Sequence, residues 1–176
     1  MKNKLTALTI VAALFSVSSF AGDPVTINVT GNIIASPCAF DSTNSNLNID
    51  LGEKGAAELS TAGSSMAEKS FNLAFKDCPV GVTKVKATFT GTDDDSSTIG
   101  TAFKNTGTAT NMVVQIKPAS GAWSADSLKS GSTLSTNVDT TAKTAVFALT
   151  TRAYTPTGSV NPGTINTSVV ANFTYQ

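Results

Sequence analysis

Two cysteines, three consecutive aspartates and a single tryptophan are the side chains with the most chemistry to offer in this chain of 176 residues. Cys38 and Cys78 belong to no C-x-x-C pair, and the chain has no histidine to complete a metal site. One isolated pair in an exported domain is most simply one disulfide. A crosslink closing a loop of roughly 40 residues stabilises by about 4 kcal/mol on chain entropy. Asp93-Asp94-Asp95 could be read as a calcium loop. It lacks the spaced oxygen ligands and the distal glutamate of an EF-hand, and a charged hairpin tip accounts for it. Trp123 could stack on a sugar ring, but with few aromatic neighbours in sequence a packing role under a loop is the simpler one. The Asn-x-Ser/Thr sequons at Asn28, Asn166 and Asn172 arise where Asn and Thr alternate along strands.

Catalytic patterns are missing in a way that constrains function. Without histidine the commonest general base and metal ligand are gone. No serine stands three residues before a lysine, which removes the S-x-x-K arrangement. No G-x-G and no P-loop pattern occurs. Paired carboxylates brought together by folding remain the one enzymatic route. The expectation is a protein that is not an enzyme and carries no cofactor and no metal.

The elements that position these residues begin with an export signal. Lys2 and Lys4 precede a short apolar run, Leu5 to Val17, and Ser19-Phe20-Ala21 supplies a cleavage site. Residues 1–21 read as a signal peptide, the run being shorter than the ~20 residues of a membrane span. Without Lys2 and Lys4, ten basic side chains face twelve acidic ones, a mature net charge of about −2. That balance argues against nucleic acid as a partner. Short Val-, Ile-, Phe- and Thr-rich stretches alternate with polar ones, the pattern of an all-β secreted domain.

Val25, Ile27, Val29 and Ile33 share one face of an alternating first segment, with Gly31 in phase. Strands are expected from Ile33 to Phe40, carrying Cys38 into the core, at Leu47–Leu51, Phe71–Phe75, Val82–Phe89, Met112–Ile116, Ala145–Tyr154 and Ile165–Tyr175. Weaker pieces lie around Trp123, Leu134 and Val138. A helical turn near Ala56 to Leu59 fits the Ala- and Gly-rich stretch between. The final strand stops without a turn or a partner, and Ile165, Val169, Ala171, Phe173 and Tyr175 share its apolar phase. An unattached strand at one end and an unpartnered one at the other leave an edge to cover. Each copy lending its first strand to the next would cover it. A first strand that folds back on its own domain would cover it too, and would make a monomer.

In order along the whole chain, these pieces resemble a chaperone–usher fimbrial subunit of the type 1 pilin family. The resemblance rests on the signal peptide, the extension with Gly31, and Ile33-Ile34-Ala35-Ser36-Pro37-Cys38. It continues in Asp50-Leu51-Gly52, in Phe71-Asn72-Leu73-Ala74-Phe75-Lys76-Asp77-Cys78-Pro79, and in the last strand with penultimate Tyr175. Lys104-Asn105-Thr106-Gly107-Thr108-Ala109 resembles the small adaptor subunits near fimbrial tips. The resemblance implies an incomplete immunoglobulin-like sandwich lacking its seventh strand and completed by donor-strand exchange. It implies residues 22–33 as donor extension and 34–176 as pilin domain. Val25, Ile27, Val29, Gly31 and Ile33 would fill a neighbour's groove. Ile165, Val169, Ala171, Phe173 and Tyr175 would line the acceptor groove, and the carboxylate of Gln176 would dock on a chaperone.

The partners implied are other pilin subunits, a periplasmic chaperone and an outer-membrane usher, on the way through the periplasm to the cell-surface fimbrium. A host receptor would be reached through a separate tip adhesin. The alternative function is a carbohydrate-binding adhesin acting through surface loops, Asp93 to Gly100 or the region of Trp123. Shaft subunit and minor adaptor need the same groove and extension, so these patterns do not separate them.

Overall fold

The protein is described by a computed structural model covering residues 26–34 and 36–176. The expected signal peptide, residues 1–21, and Val25 lie outside the described residues. The chain divides into two units between Ile33 and Ile34. In the first, the described residues 26–33 form no hydrogen-bonded strand and are exposed throughout. Ile27 and Val29 are 81% and 89% exposed, apolar surface at a level that folded domains seldom leave uncovered in a row.

The second unit is antiparallel β structure in two sheets. β1 (Ala39–Phe40), β2 (Lys69–Lys76), β7 (Ala145–Tyr154), β5 (Val113–Pro118) and β4 (Phe103–Lys104) form one sheet in that spatial order. β6 (Thr133–Asn137), β3 (Lys84–Thr90) and β8 (Val170–Tyr175) form the other. A 3-10 turn at Ala56–Leu59 lies in the long connection before β2.

Period-two alternation explains the packing. Leu73 and Phe75 of β2, Phe147 and Leu149 of β7, and Val85, Ala87 and Phe89 of β3 meet in one core with the Cys38–Cys78 disulfide. Phe75 sits at its centre, with ring centroids at 5.6 Å to Phe40, 6.3 Å to Phe147, 4.7 Å to Phe173 and 6.2 Å to Tyr175. Four edge-on contacts of this kind add to the burial of the rings themselves. This is an immunoglobulin-like sandwich short of one strand, and the gap lies along β8.

Three expected strands are shorter than their side-chain pattern, for one physical reason. Alternation says which side chains face the core, but a strand also needs a backbone partner. Among the described residues of 33–40, only Ala39–Phe40 pairs, against β2. Leu47–Leu51 has no ladder, and its amides at Asn48 and Gly52 bond instead to the side chains of Asn46 and Asp50. Before Val170, the carbonyls of Thr164 and Asn166 are taken by the amides of Ala109 and Thr106. Of the weaker pieces, Leu134 lies in β6, whereas Trp123 lies in a turn.

Candidate functional site

β8 is bonded on one side only among the described residues. Gln176 and Lys84 exchange both backbone bonds, each 2.9 Å long. In an antiparallel ladder the bonding direction alternates, so Thr174, Asn172 and Val170 also turn their backbone groups toward β3. The N–H and C=O groups of Ala171, Phe173 and Tyr175 therefore point to the open edge. The same residues turn their side chains inward, and each is only half-buried. A row of free backbone groups stands above a row of half-covered apolar side chains.

Alongside runs an apolar groove of about 1170 Å³ within the second unit. Ile165, Val169, Ala171 and Phe173 line one side of it, and Leu47, Ile49 and Leu51 belong to the ladderless segment that also lines it. Between them Phe71, Val114 and Ile116 come from the larger sheet. Leu47 is 62% exposed, and Ile49 and Leu51 are half-buried. Two unpaired backbone stretches flanking an apolar trough make a slot shaped for one extended strand.

The structure brings Ile165, Val169, Ala171 and Phe173 into the groove lining. Tyr175 packs at the closed end instead, its ring on Phe75 and its hydroxyl at 3.5 Å from the Cys38 carbonyl. Burial pushes that hydroxyl's pKa up from the ordinary tyrosine value. The main-chain oxygen of Gln176 accepts the Thr83 and Lys84 amides at 2.6 and 2.9 Å. Ile27, Val29, Gly31 and Ile33 lie in the first unit, exposed and unpaired. Leu47, Ile49, Leu51, Phe71, Val114 and Ile116 were not among the groove residues expected from sequence. Their alternation was visible, but an alternating strand that faces a filled core and one that faces a trough read alike.

The other chemical candidates are spoken for. The amide of Ser130 donates to Asp93 Oδ1, tying two loops together, and the amide of Ser96 donates to Asp94 Oδ1, closing a local turn. Among the described residues no group of three or more His, Cys, Asp or Glu could hold a metal. Trp123 Nε1 donates to Glu68 at 2.7 Å, while the Arg152 guanidinium and Lys117 ammonium lie 4.2 and 4.9 Å from its ring centroid. Burial lowers the Arg152 pKa from its ordinary value, with the Glu68 carboxylate opposing. Among the described residues no helix is long and apolar enough to cross a membrane.

Residues 27–176 match the family described as Fimbrial protein. The chain is 34% identical to Protein FimG of Escherichia coli K12, over 96% of this chain and 94% of that one. It is 30% identical to the type-1 fimbrial protein A chain of Escherichia coli, over the full length of both. Among solved structures, the P pilus rod subunit PapA superposes with a TM-score of 0.55 at 16% identity, over 86% of this chain and 100% of that one. The CupB6 tip adhesin from Pseudomonas aeruginosa superposes with a TM-score of 0.62 at 14% identity, over 80% of this chain and 38% of that one. At those identities the superpositions speak for the fold alone.

Proposed function

The chain belongs to the fimbrial protein family as a chaperone–usher subunit of the type 1 pilin kind, and from that premise we propose that it polymerises by donating its N-terminal strand to the groove of a neighbouring subunit. The observation that carries the proposal is a matched pair of deficits. The body has an apolar slot edged by free backbone groups, and the described part of the extension leaves Ile27, Val29 and Ile33 uncovered. Adding a strand from another chain answers both at once.

The energetics suit a permanent joint. Burying Val25, Ile27, Val29 and Ile33 is worth up to about 6–12 kcal/mol before ordering costs. Each ladder bond to the free groups of β8 adds about 0.5–1.5 kcal/mol. Gly31, with no side chain, lets the two backbones approach closely. A subunit whose groove is empty exposes part of its own core, so it needs a periplasmic chaperone until the usher exchanges one strand for another. The finished fibre stands at the cell surface and supports adhesion, with host contact made by a separate tip adhesin.

Deleting residues 22–32 tests this. The truncated subunit should fold with its chaperone, and its groove should accept an extension, but it should not attach to a preceding subunit. Normal incorporation of the truncated chain at both ends would overturn the proposal.

A further inference from the structure

Strand donation, if it operates as proposed above, fixes more than the joint itself: it dictates which ends of two bodies must meet. Ile33 is the last apolar residue of the extension, and five residues later the chain is pinned at Cys38 by the disulfide to Cys78. Five residues span at most about 17 Å. The end of the body that carries Cys38 is therefore held close to the mouth of the groove its extension has entered. On that end, two residues past Cys78, the turn Pro79-Val80-Gly81 projects with Val80 97% exposed. Its closing bond runs from the Val82 amide to the Pro79 carbonyl at 3.2 Å, so the side chain at the tip is presented, not absorbed.

The mouth that receives it depends on strand direction. Pairing antiparallel to β8 is the stabler ladder. In that direction the extension leaves the groove beside Ile165. The donor's Cys38 end then meets the acceptor's Ile165 end, a head-to-tail contact that repeats without closing, as a fibre needs.

What stands at the Ile165 end is a firm platform. The loop at residues 105–109 and the loop at 161–164 are laced backbone to backbone. The Ala109 amide donates to the Thr164 carbonyl at 3.0 Å, and Thr110 bridges to Asn161. A Cβ on Gly107 would sit 2.1 Å from the Thr164 carbonyl oxygen, and one on Gly163 would sit 2.4 Å from the Ala109 amide nitrogen. No other residue permits that approach. The platform offers Pro162 exposed, beside Val160 and Ala109, which are half-buried against the core; all three belong to the groove lining, so the seat is its rim.

We propose that the Pro79-Val80-Gly81 turn of each subunit seats on the 105–109/161–164 platform of the subunit that accepts its extension. The partner is a second copy of this chain or a fimbrial subunit with the same platform. The contact sets the angle between successive bodies, which a five-residue tether alone would leave free.

Cysteine pairing in assembled polymer tests it. A full-length chain carrying Val80→Cys and Pro162→Cys should yield polymer that, after mild oxidation and boiling in detergent, still runs as a ladder and collapses to monomer on reduction. Val80→Cys with Ser135→Cys, on the far edge strand β6, should yield no ladder after boiling. Polymer that resists detergent unboiled but shows no ladder after boiling in the Val80/Pro162 pair would overturn the contact while leaving strand donation standing. Absence of detergent-resistant polymer from the unaltered chain would overturn both. The single variant Val80→Cys, at an exposed turn, provides an independent reading. Its thiol should react with a maleimide in the chaperone-bound subunit and lose most of that reactivity in polymer. Equal reactivity in the two states would also overturn the contact.

Discussion

The strand pair β5–β7 has two faces, and they are finished in opposite ways. On the outer face, loops of this chain fold back and close over it. Gln115 is fully buried there, its amide nitrogen donating to the Ile99 and Thr101 carbonyls, and its oxygen accepting from Arg152 at 2.9 and 3.1 Å. Tyr154, equally buried, receives the Thr98 amide at 3.0 Å, and no buried side-chain polar atom among the described residues lacks a partner. On the inner face, Val114 and Ile116 look into the open groove. The outer face joins satisfied polar groups to a small apolar cluster of Ala102, Val113 and Tyr154, and is complete within one chain. The inner face is apolar and incomplete, and its missing piece is a strand. Polar groups demand exact partners and so are satisfied locally, whereas an apolar trough accepts any extended segment of the right period. The proposed exchangeable joint accordingly lies on the inner face.

The contrast can be broken most severely from the inner side. Replacing Ile27 and Val29 together by Asp should abolish polymer, because two charges would enter an apolar slot with no partner; detergent-resistant ladders on a gel read this directly. Next comes the disulfide in the core between the sheets. Opening Cys38–Cys78 by Cys38→Ala with Cys78→Ala should cost about 4 kcal/mol, seen as a lower denaturant midpoint of chain complemented with a peptide of residues 23–33. On the outer side, Gln115→Ala should cost about 2–3 kcal/mol by stranding Arg152 and two loop carbonyls, with polymer still forming. Loss of polymer from Gln115→Ala at unchanged stability would mean that the faces are not independent.

The smallest expected effect is in acid. The Asp41 carboxyl is held below its ordinary value of 3.8, first by the Asn44 side-chain amide at 2.7 Å and then by the Asn44 and Thr43 amides. Its contribution is intact above that ordinary value and disappears as pH falls through the lowered one. The turn at 41–44, which leads into the groove wall, should loosen only below about pH 4. Amide exchange at Thr43 and Asn44 would show it, and Asp41→Ala should remove the pH dependence.

These two faces were not equally legible beforehand. The inner face was readable because apolar alternation survives in sequence: Phe71–Phe75 lies within β2, Ala145–Tyr154 coincides with β7, and of the phase from Ile165 to Tyr175 all but Tyr175 line the groove. What alternation could not tell was where backbone pairing stops, so Leu47–Leu51 read as a ladder strand. The outer face was unreadable. Gln115 and Arg152 look like surface residues of strands, and their burial comes from loops around Ile99 and Ser127 whose arrival has no periodic mark. Trp123 was recognisable as a packing residue, but its seat over Lys117 and Arg152 depends on two strands meeting far apart in sequence.

The most direct measurement is titration of the purified mature chain with a synthetic peptide of residues 23–33, followed by size-exclusion chromatography and thermal melting. The account predicts that the chain alone multimerises or stays bound to chaperone, and that saturating peptide converts it to a monomer melting at a much higher temperature. A chain that is monomeric and melts cooperatively without peptide, at a temperature the peptide does not change, would contradict it.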